Sequence, residues 1–390
     1  MHNEHIVIVG AGIVGLSTAY TLLKQGMKNV TVLEQAAVDH RRATSHGISR
    51  LLRFEYGSDV FYSKMVQLSL KRWKSLEQET QRTLCTQTEL LVLGNEGDDF
   101  TQPSYRTLST LGLPTELLSR HICQNRFPQF NTHKHDTFTY NKEAGIMHAS
   151  TCLHTLRDLI VDFGGVICEA QRVTRIVHSN KHSPIRLHFN QGDELIADRV
   201  VVAIGPWIHH LLGDLKLPVH MTQQYLLYFA NLPTASYGWH TFPAFLSGDL
   251  YGFPIHSTYA GHGPSWLKAT SHAFGTPVNP DAAPHVDEHI VTRIRTKLCE
   301  LIPALKHAEL THIDTCIYDV SPDEDFILDY LPEDQRIVFA TGLTGHGFKF
   351  GPLLGEILGS LIHNTQPPVT IERFKLARFA QQRAESISVA

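Results

Sequence analysis

The chain has 390 residues, 42% apolar and 18% charged: material for two domains with sizeable cores, and too little charge for a disordered chain. Lys and Arg number 34 against 38 Asp and Glu, a net charge of -4 with no basic block, which argues against nucleic acid or an anionic membrane surface as the main partner. Six scattered cysteines without a CxxC pair, and 25 histidines without an HExxH, give no support to a disulfide scaffold or a metal site. The apolar stretch Ile6–Leu16 is about half a membrane-spanning helix and has no basic segment before it, so a cytoplasmic, non-membrane protein is expected.

The chain opens as a βαβ unit. His5–Val9 is a short apolar run suited to a strand buried on both faces. Gly10-Ala11-Gly12-Ile13-Val14-Gly15 then leads into a helical pattern over Ile13–Gln25, closed by Gly26 as a C-cap. Val30–Leu33 is the second strand, and Glu34 ends it. Further strand segments lie at Val166-Ile167 with Arg172–Val177, at Arg199–Gly205, and at Arg336–Gly342. The last precedes a helical pattern over Pro352–Ile362, and the tail after Thr370 reads as a polar helix. Strands alternating with helices indicate a parallel sheet covered on both faces. Residues 81–144 and 216–315 are richer in turns, proline, aromatics and polar alternation, as an inserted, mainly antiparallel domain would be. The expectation is therefore an α/β protein with a discontinuous dinucleotide-binding domain (1–80, 145–215, 316–390) and a substrate domain (81–144, 216–315).

The glycine spacing has a mechanical reason. Gly10 permits a tight turn, Gly12 lets a pyrophosphate approach the backbone, and Gly15 allows close helix–strand packing. The helix N-terminus at Ile13 and Val14 offers free N–H groups and a positive dipole end to phosphates. Glu34, nineteen residues after Gly15, sits where a carboxylate accepts from both ribose hydroxyls and would repel a 2′-phosphate. This much leaves NAD and FAD both open.

Four further segments carry a resemblance. Ala43-Thr44-Ser45-His46-Gly47-Ile48-Ser49-Arg50-Leu51-Leu52-Arg53, Ala203-Ile204-Gly205-Pro206-Trp207, Thr315-Cys316-Ile317-Tyr318-Asp319 with Pro322-Asp323-Glu324, and Gly342-Leu343-Thr344-Gly345-His346-Gly347-Phe348-Lys349 stand in the order seen in FAD-dependent amine and amino-acid oxidases. The chain resembles the family of monomeric sarcosine oxidase, N-methyltryptophan oxidase and pipecolate oxidase over nearly its whole length. The resemblance implies a glutathione-reductase-like flavoprotein architecture, FAD as cofactor, and a covalent flavin link through Cys316, since a thiolate is the nucleophile for such a thioether. It extends the cofactor set to Ser45, His46, Arg50, Val173, Gly205, Trp207, Gly342, Gly345, Gly347, Phe348 and Lys349. It makes Arg53 and Lys349 the clamp for a substrate carboxylate, Lys268 the oxygen-activating lysine, and His272, Tyr251 and Tyr318 pocket residues. Taken without it, Arg50 and Arg53 read as part of a basic turn that begins at Arg41-Arg42, and Cys316 as a core thiol. The stretch from Tyr251 to Lys268 is longer than the family pattern, with Ser257–Trp266 expected as an extra loop.

The resemblance implies a monomeric oxidase of a secondary or cyclic amino acid, with oxygen as the second substrate and hydrogen peroxide as product. A flavin dehydrogenase of the same fold would share nearly every motif. A dinucleotide-binding sensor would share the fold without a need for Arg53, Lys268 and Lys349.

Overall fold

The computed structural model describes residues 4–179, 183–259 and 262–379. A six-stranded sheet runs in the order Ile327–Leu331, Asp334–Thr341, Arg199–Val202, Ile6–Val9, Val30–Leu33 and Val166–Cys168. All neighbours are parallel except the edge strand Ile327–Leu331. Strand Ile6–Val9 is buried along its length, and its alternation divides two cores. Ile6 and Ile8 pack with Leu16, Leu353 and Ile357 under the helices, whereas Val7 and Val9 pack with Ile185, Leu187 and Val200 on the opposite face.

Helix Ile13–Lys24 packs between Gly351–Ile362 and Ala149–Asp162 on the first face. The chain leaves it through Gln25, and Gly26 takes the left-handed φ of 93° that ends a helix cleanly. The other face departs from the sequence expectation. Val173–Val177 does not join the parallel sheet; it pairs antiparallel with Ile185–Phe189, which pairs with Glu194–Ala197. The reason lies in its polarity: Val173 is buried while Thr174 and Arg175 are exposed, so this strand covers a core on one side and meets water on the other. A three-stranded antiparallel sheet therefore covers the face where helices were expected.

The second layer is an eight-stranded sheet in the order Glu309–Val320, His220–Ala230, His262–Ser271, Leu250–Tyr259, Ala244–Ser247, Leu90–Gly94, Thr137–Asn141 and Thr115–Leu118. Only Ala244–Ser247 with Leu90–Gly94 is parallel. Its core includes Phe138, Phe242, Phe245 and Leu298, the last from helix Glu288–Leu301, whose N-cap Asp287 accepts from two of its backbone N–H groups. Strand Glu309–Val320 runs unbroken across the domain boundary expected at 315/316.

Two expectations are revised here. Ser257–Trp266 is not an added loop but the outer part of the hairpin Leu250–Tyr259/His262–Ser271, with His256 opposite Trp266 and Ser257 opposite Ser265. Trp266 gives the extension a surface to pack on: its ring stacks on His312 at 5.9 Å and meets Tyr228 edge-on at 5.7 Å. The tail after Thr370 begins as a 3₁₀ turn at Glu372–Phe374 with Phe374 buried, becomes helical at Arg378 and Phe379, and its remainder, residues 380–390, lies outside the described residues.

The packing of Gly351–Ile362 on Ile13–Lys24 is close enough to exclude a methyl group. A Cβ on Gly355 would stand 2.5 Å from the carbonyl carbon and oxygen of Ser17. Backbone cannot swing aside as a flexible side chain can. Gly355→Ala should destabilise the protein by about 1–3 kcal/mol, the usual range for overpacking a core, despite alanine's better helix propensity. A lower midpoint of thermal unfolding checks it; an unchanged or raised midpoint contradicts the close packing.

Candidate active site

The phosphate turn forms where Ile6–Val9 ends. Gly10 has φ of 105°, and a Cβ there would meet the Ala203 carbonyl oxygen at 2.4 Å; on Gly15 it would stand 1.9 Å from the carbonyl oxygen of Gly10. Gly12 differs: only Ser45 Oγ, at 3.2 Å, would approach a Cβ there, and the residue borders a cavity of about 310 Å³. Ser45 Oγ accepts from the Ile13 N–H (3.0 Å) at the helix start. Glu34 accepts from Ala11 N–H and Ala36 N–H, both at 2.9 Å, with one carboxylate oxygen each. Each oxygen keeps a lone-pair direction for a ribose hydroxyl.

Most of the residues assigned to the cofactor from sequence border this one cavity. Gly10, Gly12, Ile13, Val14, Glu34 and Ser45 line it from the βαβ unit, and Arg50, Val173, Gly205 and Trp207 from the segments that follow. Gly345, Gly347 and Phe348 line it from the glycine-rich loop before Gly351–Ile362, together with Tyr318. Five do not line it. Gly15 packs beneath the turn, and Gly342 takes φ of 65° against Ser321 and Ile327. His46 turns away: its Nδ1 bonds the Asp39 carboxylate at 2.8 Å, which raises its pKa, and the ring borders a separate cavity with Trp266, His312 and Asp314. Cys316 lies just behind the wall, its thiol 3.8 Å from the carbonyl oxygen of Thr44, a lining residue. Burial pushes that thiol's pKa up, while Arg50 and Lys268 pull it down. Lys349 follows Phe348 but turns its Nζ to the His346 carbonyl, 3.0 Å away.

The remaining groups assemble around Tyr318. Strand alternation puts His312, Asp314, Cys316 and Tyr318 on one face of Glu309–Val320, and register places Tyr228 opposite both His312 and Lys268. Lys268 is 1% exposed; its Nζ donates to the Ser49 carbonyl (2.8 Å) and lies 5.1 Å from the Phe253 ring centre. Burial, then the Arg50 charge, holds its pKa well below the usual lysine range. Lys349, 4% exposed, is lowered by burial and by Arg53. Arg53 and Lys349 share the ring of Tyr56, at 4.3 and 5.2 Å from its centre, and Arg53 donates to the Glu55 carbonyl. Arg50 is tied to the carbonyls of Thr44, His46 and Ser49. The Glu55 carboxyl is buried and accepts from Asn141 and the Phe54 N–H; burial raises its pKa, and the Arg53 charge lowers it in part. Among the described residues, then, Arg50, Arg53, Lys268 and Lys349 bond backbone carbonyls and none is ion-paired to a carboxylate. Tyr251 and Tyr318 are hydrogen-bond partners, both with pKa raised by burial. His272 is exposed, its ring 6.3 Å from that of Tyr251 and its Nε2 3.3 Å from the Gly248 carbonyl oxygen.

A glycine turn, a ribose-ready glutamate and a cavity that continues to Tyr318 and a cationic cluster fit a dinucleotide whose reactive end lies far from its phosphates. The family model for FAD dependent oxidoreductases matches residues 5–361. The chain belongs to the FAD-dependent oxidoreductase family. Peroxisomal sarcosine oxidase of Mus musculus is 32% identical to this oxidoreductase over 381 residues, 96% of each chain. N-methyl-L-tryptophan oxidase of Yersinia pestis (strain Pestoides F) is 28% identical over 385 residues, 96% of this chain and 99% of the relative. The solved structure of L-proline dehydrogenase from P. horikoshii shares the fold, with a TM-score of 0.83 at 20% identity, over 97% of this chain and 98% of the other.

Several lining residues of this oxidoreductase escaped the sequence reading. Arg42, Arg172, His210, Asp281 and Asp319 all border the cofactor cavity. Asp319 is buried and holds the glycine-rich loop, accepting from Thr341 Oγ1 (3.2 Å) and the Leu343 N–H (3.3 Å). Burial raises its pKa. Its place one residue after Tyr318 was the available signal. Asp281 had none, because it comes from the other layer. Among the described residues no helix is long and apolar enough to cross a membrane, and no cluster of side chains is suited to a metal ion.

Proposed function

We propose that this oxidoreductase is an oxidase of a secondary or cyclic amino acid, of the sarcosine, N-methyl amino acid or pipecolate type. In that reaction the CH–NH unit loses two electrons and two protons to become an imine, and oxygen takes them up as hydrogen peroxide; water then hydrolyses the imine. Bound FAD supplies the two-electron carrier between the two substrates. The observation that carries the reading is a set of cationic side chains, Lys268 and Lys349 buried and Arg50 and Arg53 half-buried, with no carboxylate ion pair among the described residues. An unpaired buried charge is strongly unfavourable, so burial lowers the pKa of both lysines, and an arriving anion favours their charged forms.

Arg53 and Lys349 are the pair suited to the substrate carboxylate, Arg53 through a planar fork and Lys349 as a point charge. Helix Val60–Thr80 braces Lys349: Ser69 Oγ and Trp73 Nε1 donate to its carbonyl at 2.6 and 2.8 Å. Holding the carboxylate orients the neighbouring C–H, which lowers the barrier by position and not by a strong base. The same positive surroundings disfavour an ammonium, so the bound amine is held in its neutral, reactive form. Names of the relatives support this substrate class: both act, by name, on an N-methylated amino acid.

Lys268 is the residue that favours oxygen over another electron acceptor. Its pKa is depressed in the free site, and a negative charge forming beside it would restore its proton and be stabilised in turn, most strongly where water is excluded. Cys316, whose thiol pKa is raised by burial and lowered in part by Arg50 and Lys268, is the attachment point proposed for a covalent flavin.

Arg53→Ala or Lys349→Ala should each lower kcat/KM about ten- to a hundredfold, the loss of one charge-assisted hydrogen bond of roughly 1.5–3 kcal/mol. A screen of sarcosine, pipecolate, proline and N-methyltryptophan with a peroxide readout tests the class. Equal turnover of an amino acid and the matching neutral amine would refute the clamp. The wild-type protein should stay yellow after acid precipitation, and Cys316→Ala should release its flavin; flavin that washes off the wild type disproves the link. In stopped flow, Lys268→Met should slow reoxidation of the reduced enzyme by oxygen about a hundredfold while anaerobic reduction by substrate changes much less. Reduced wild-type enzyme that barely reacts with oxygen would make the protein a dehydrogenase.

A further inference from the structure

Between strand His262–Ser271 and helix Glu288–Leu301, the chain leaves the eight-stranded sheet and crosses to the dinucleotide domain. Both ends of this crossing are pinned to strand His220–Ala230. The Gln223 N–H donates to the Thr276 carbonyl and the Val278 N–H to the Met221 carbonyl, each at 3.0 Å, and the Gln223 amide donates to the His285 carbonyl. Gly275 makes the first bend possible, since a Cβ there would stand 1.7 Å from the Gln223 carbonyl oxygen.

The middle is held by side chains alone. Asp281 accepts from Trp207 Nε1 at 3.0 Å, faces His210 Nε2 at 3.2 Å, and lies 3.8 Å from the Arg172 guanidinium. Arg42 donates to the carbonyls of Pro280 and Ala282 and lies over the Trp207 ring. Asp281 and all four of its neighbours line the cofactor cavity, yet Asn279, Asp281 and Ala282 are exposed to solvent on their outer side. A segment with one side to water, the other to the cavity and little buried apolar surface opens at low free energy.

We propose that residues 275–285 are a strap over the mouth of the cofactor cavity, with Asp281 as the latch that gates loading and release of FAD. This rests on the cavity holding FAD, and not on the substrate or the covalent link. Asp281 is a positioning residue: it acts by holding the strap to Trp207, His210 and Arg172. A latch has a kinetic signature that an ordinary contact lacks. Weakening it raises the population of the open strap, so association and dissociation quicken together and the Kd changes little; loss of a contact quickens dissociation alone.

The test uses the full chain carrying Cys316→Ala, so that no covalent attachment can mask exchange, and follows flavin fluorescence on mixing apoprotein with FAD and on dilution of the complex. Asp281→Ala should raise both rate constants about tenfold. Asp281→Asn, which keeps an acceptor for Trp207 but loses the charge, should raise both severalfold and serves as the milder variant if the alanine protein folds poorly. The thermal midpoint of the apoprotein should stay within about 2 °C of the parent. Faster dissociation with unchanged association, or no change beyond twofold in either rate, overturns the latch.

Discussion

The site is organised around an imbalance of charge. Arg50 and Lys268 act on Cys316, Arg53 and Lys349 share the Tyr56 ring, and the carboxylate closest in sequence, Glu55, spends its oxygens on Asn141 and its own backbone segment. Backbone carbonyls and aromatic rings hold these cations in place without neutralising them. Carbonyl dipoles and ring quadrupoles stabilise a cation only in part, and the field that remains is available to whatever anion enters. Burial first, and then the neighbouring arginine charge, depresses the pKa of both lysines.

Building such a cluster requires elements from both layers. Arg50 and Arg53 come from the strand after the βαβ unit and its continuation, Lys268 from the large sheet, and Lys349 from the loop before the last helix. Strand Glu309–Val320 connects them because it begins in the second layer and ends at the glycine-rich loop, presenting His312, Asp314, Cys316 and Tyr318 along one face. Gly345 fits that face closely: with φ of 72° it lies against the Tyr318 ring, where a Cβ would come within 2.3 Å. The loop's glycines therefore do two things, shaping the cofactor wall and admitting an aromatic ring beside it.

The cofactor cavity is also a joint product. Its floor is the dinucleotide domain, but Tyr318, Asp319 and Asp281 reach it from the large sheet and its connections. The outer hairpin is anchored by Trp266 on His312 and Tyr228.

Local sequence was enough for whatever depends on local chemistry. The Gly10–Gly15 turn, the helix behind it and Glu34 at the next strand end are short-range features, since Gly15 answers a contact within the turn itself and Gly10 one at the end of the adjacent strand. The segments around Arg50, Cys316 and Gly345 were legible because runs of several residues had to match together. Long-range packing decided the rest. Val173–Val177 looked like a further parallel strand because an apolar run does not state its partner, and only the exposed Arg175 hinted at a one-sided sheet. Ser257–Trp266 looked like a loop because pairing across a hairpin is invisible without its register. Asp281 could not be read at all: a lone aspartate between prolines and alanines gains its role when the strap brings it to Trp207 and His210, more than seventy residues away in the chain. Sequence carries the chemistry of each group and the conformations open to its own segment; the meeting of distant groups is set by how the two sheets pack.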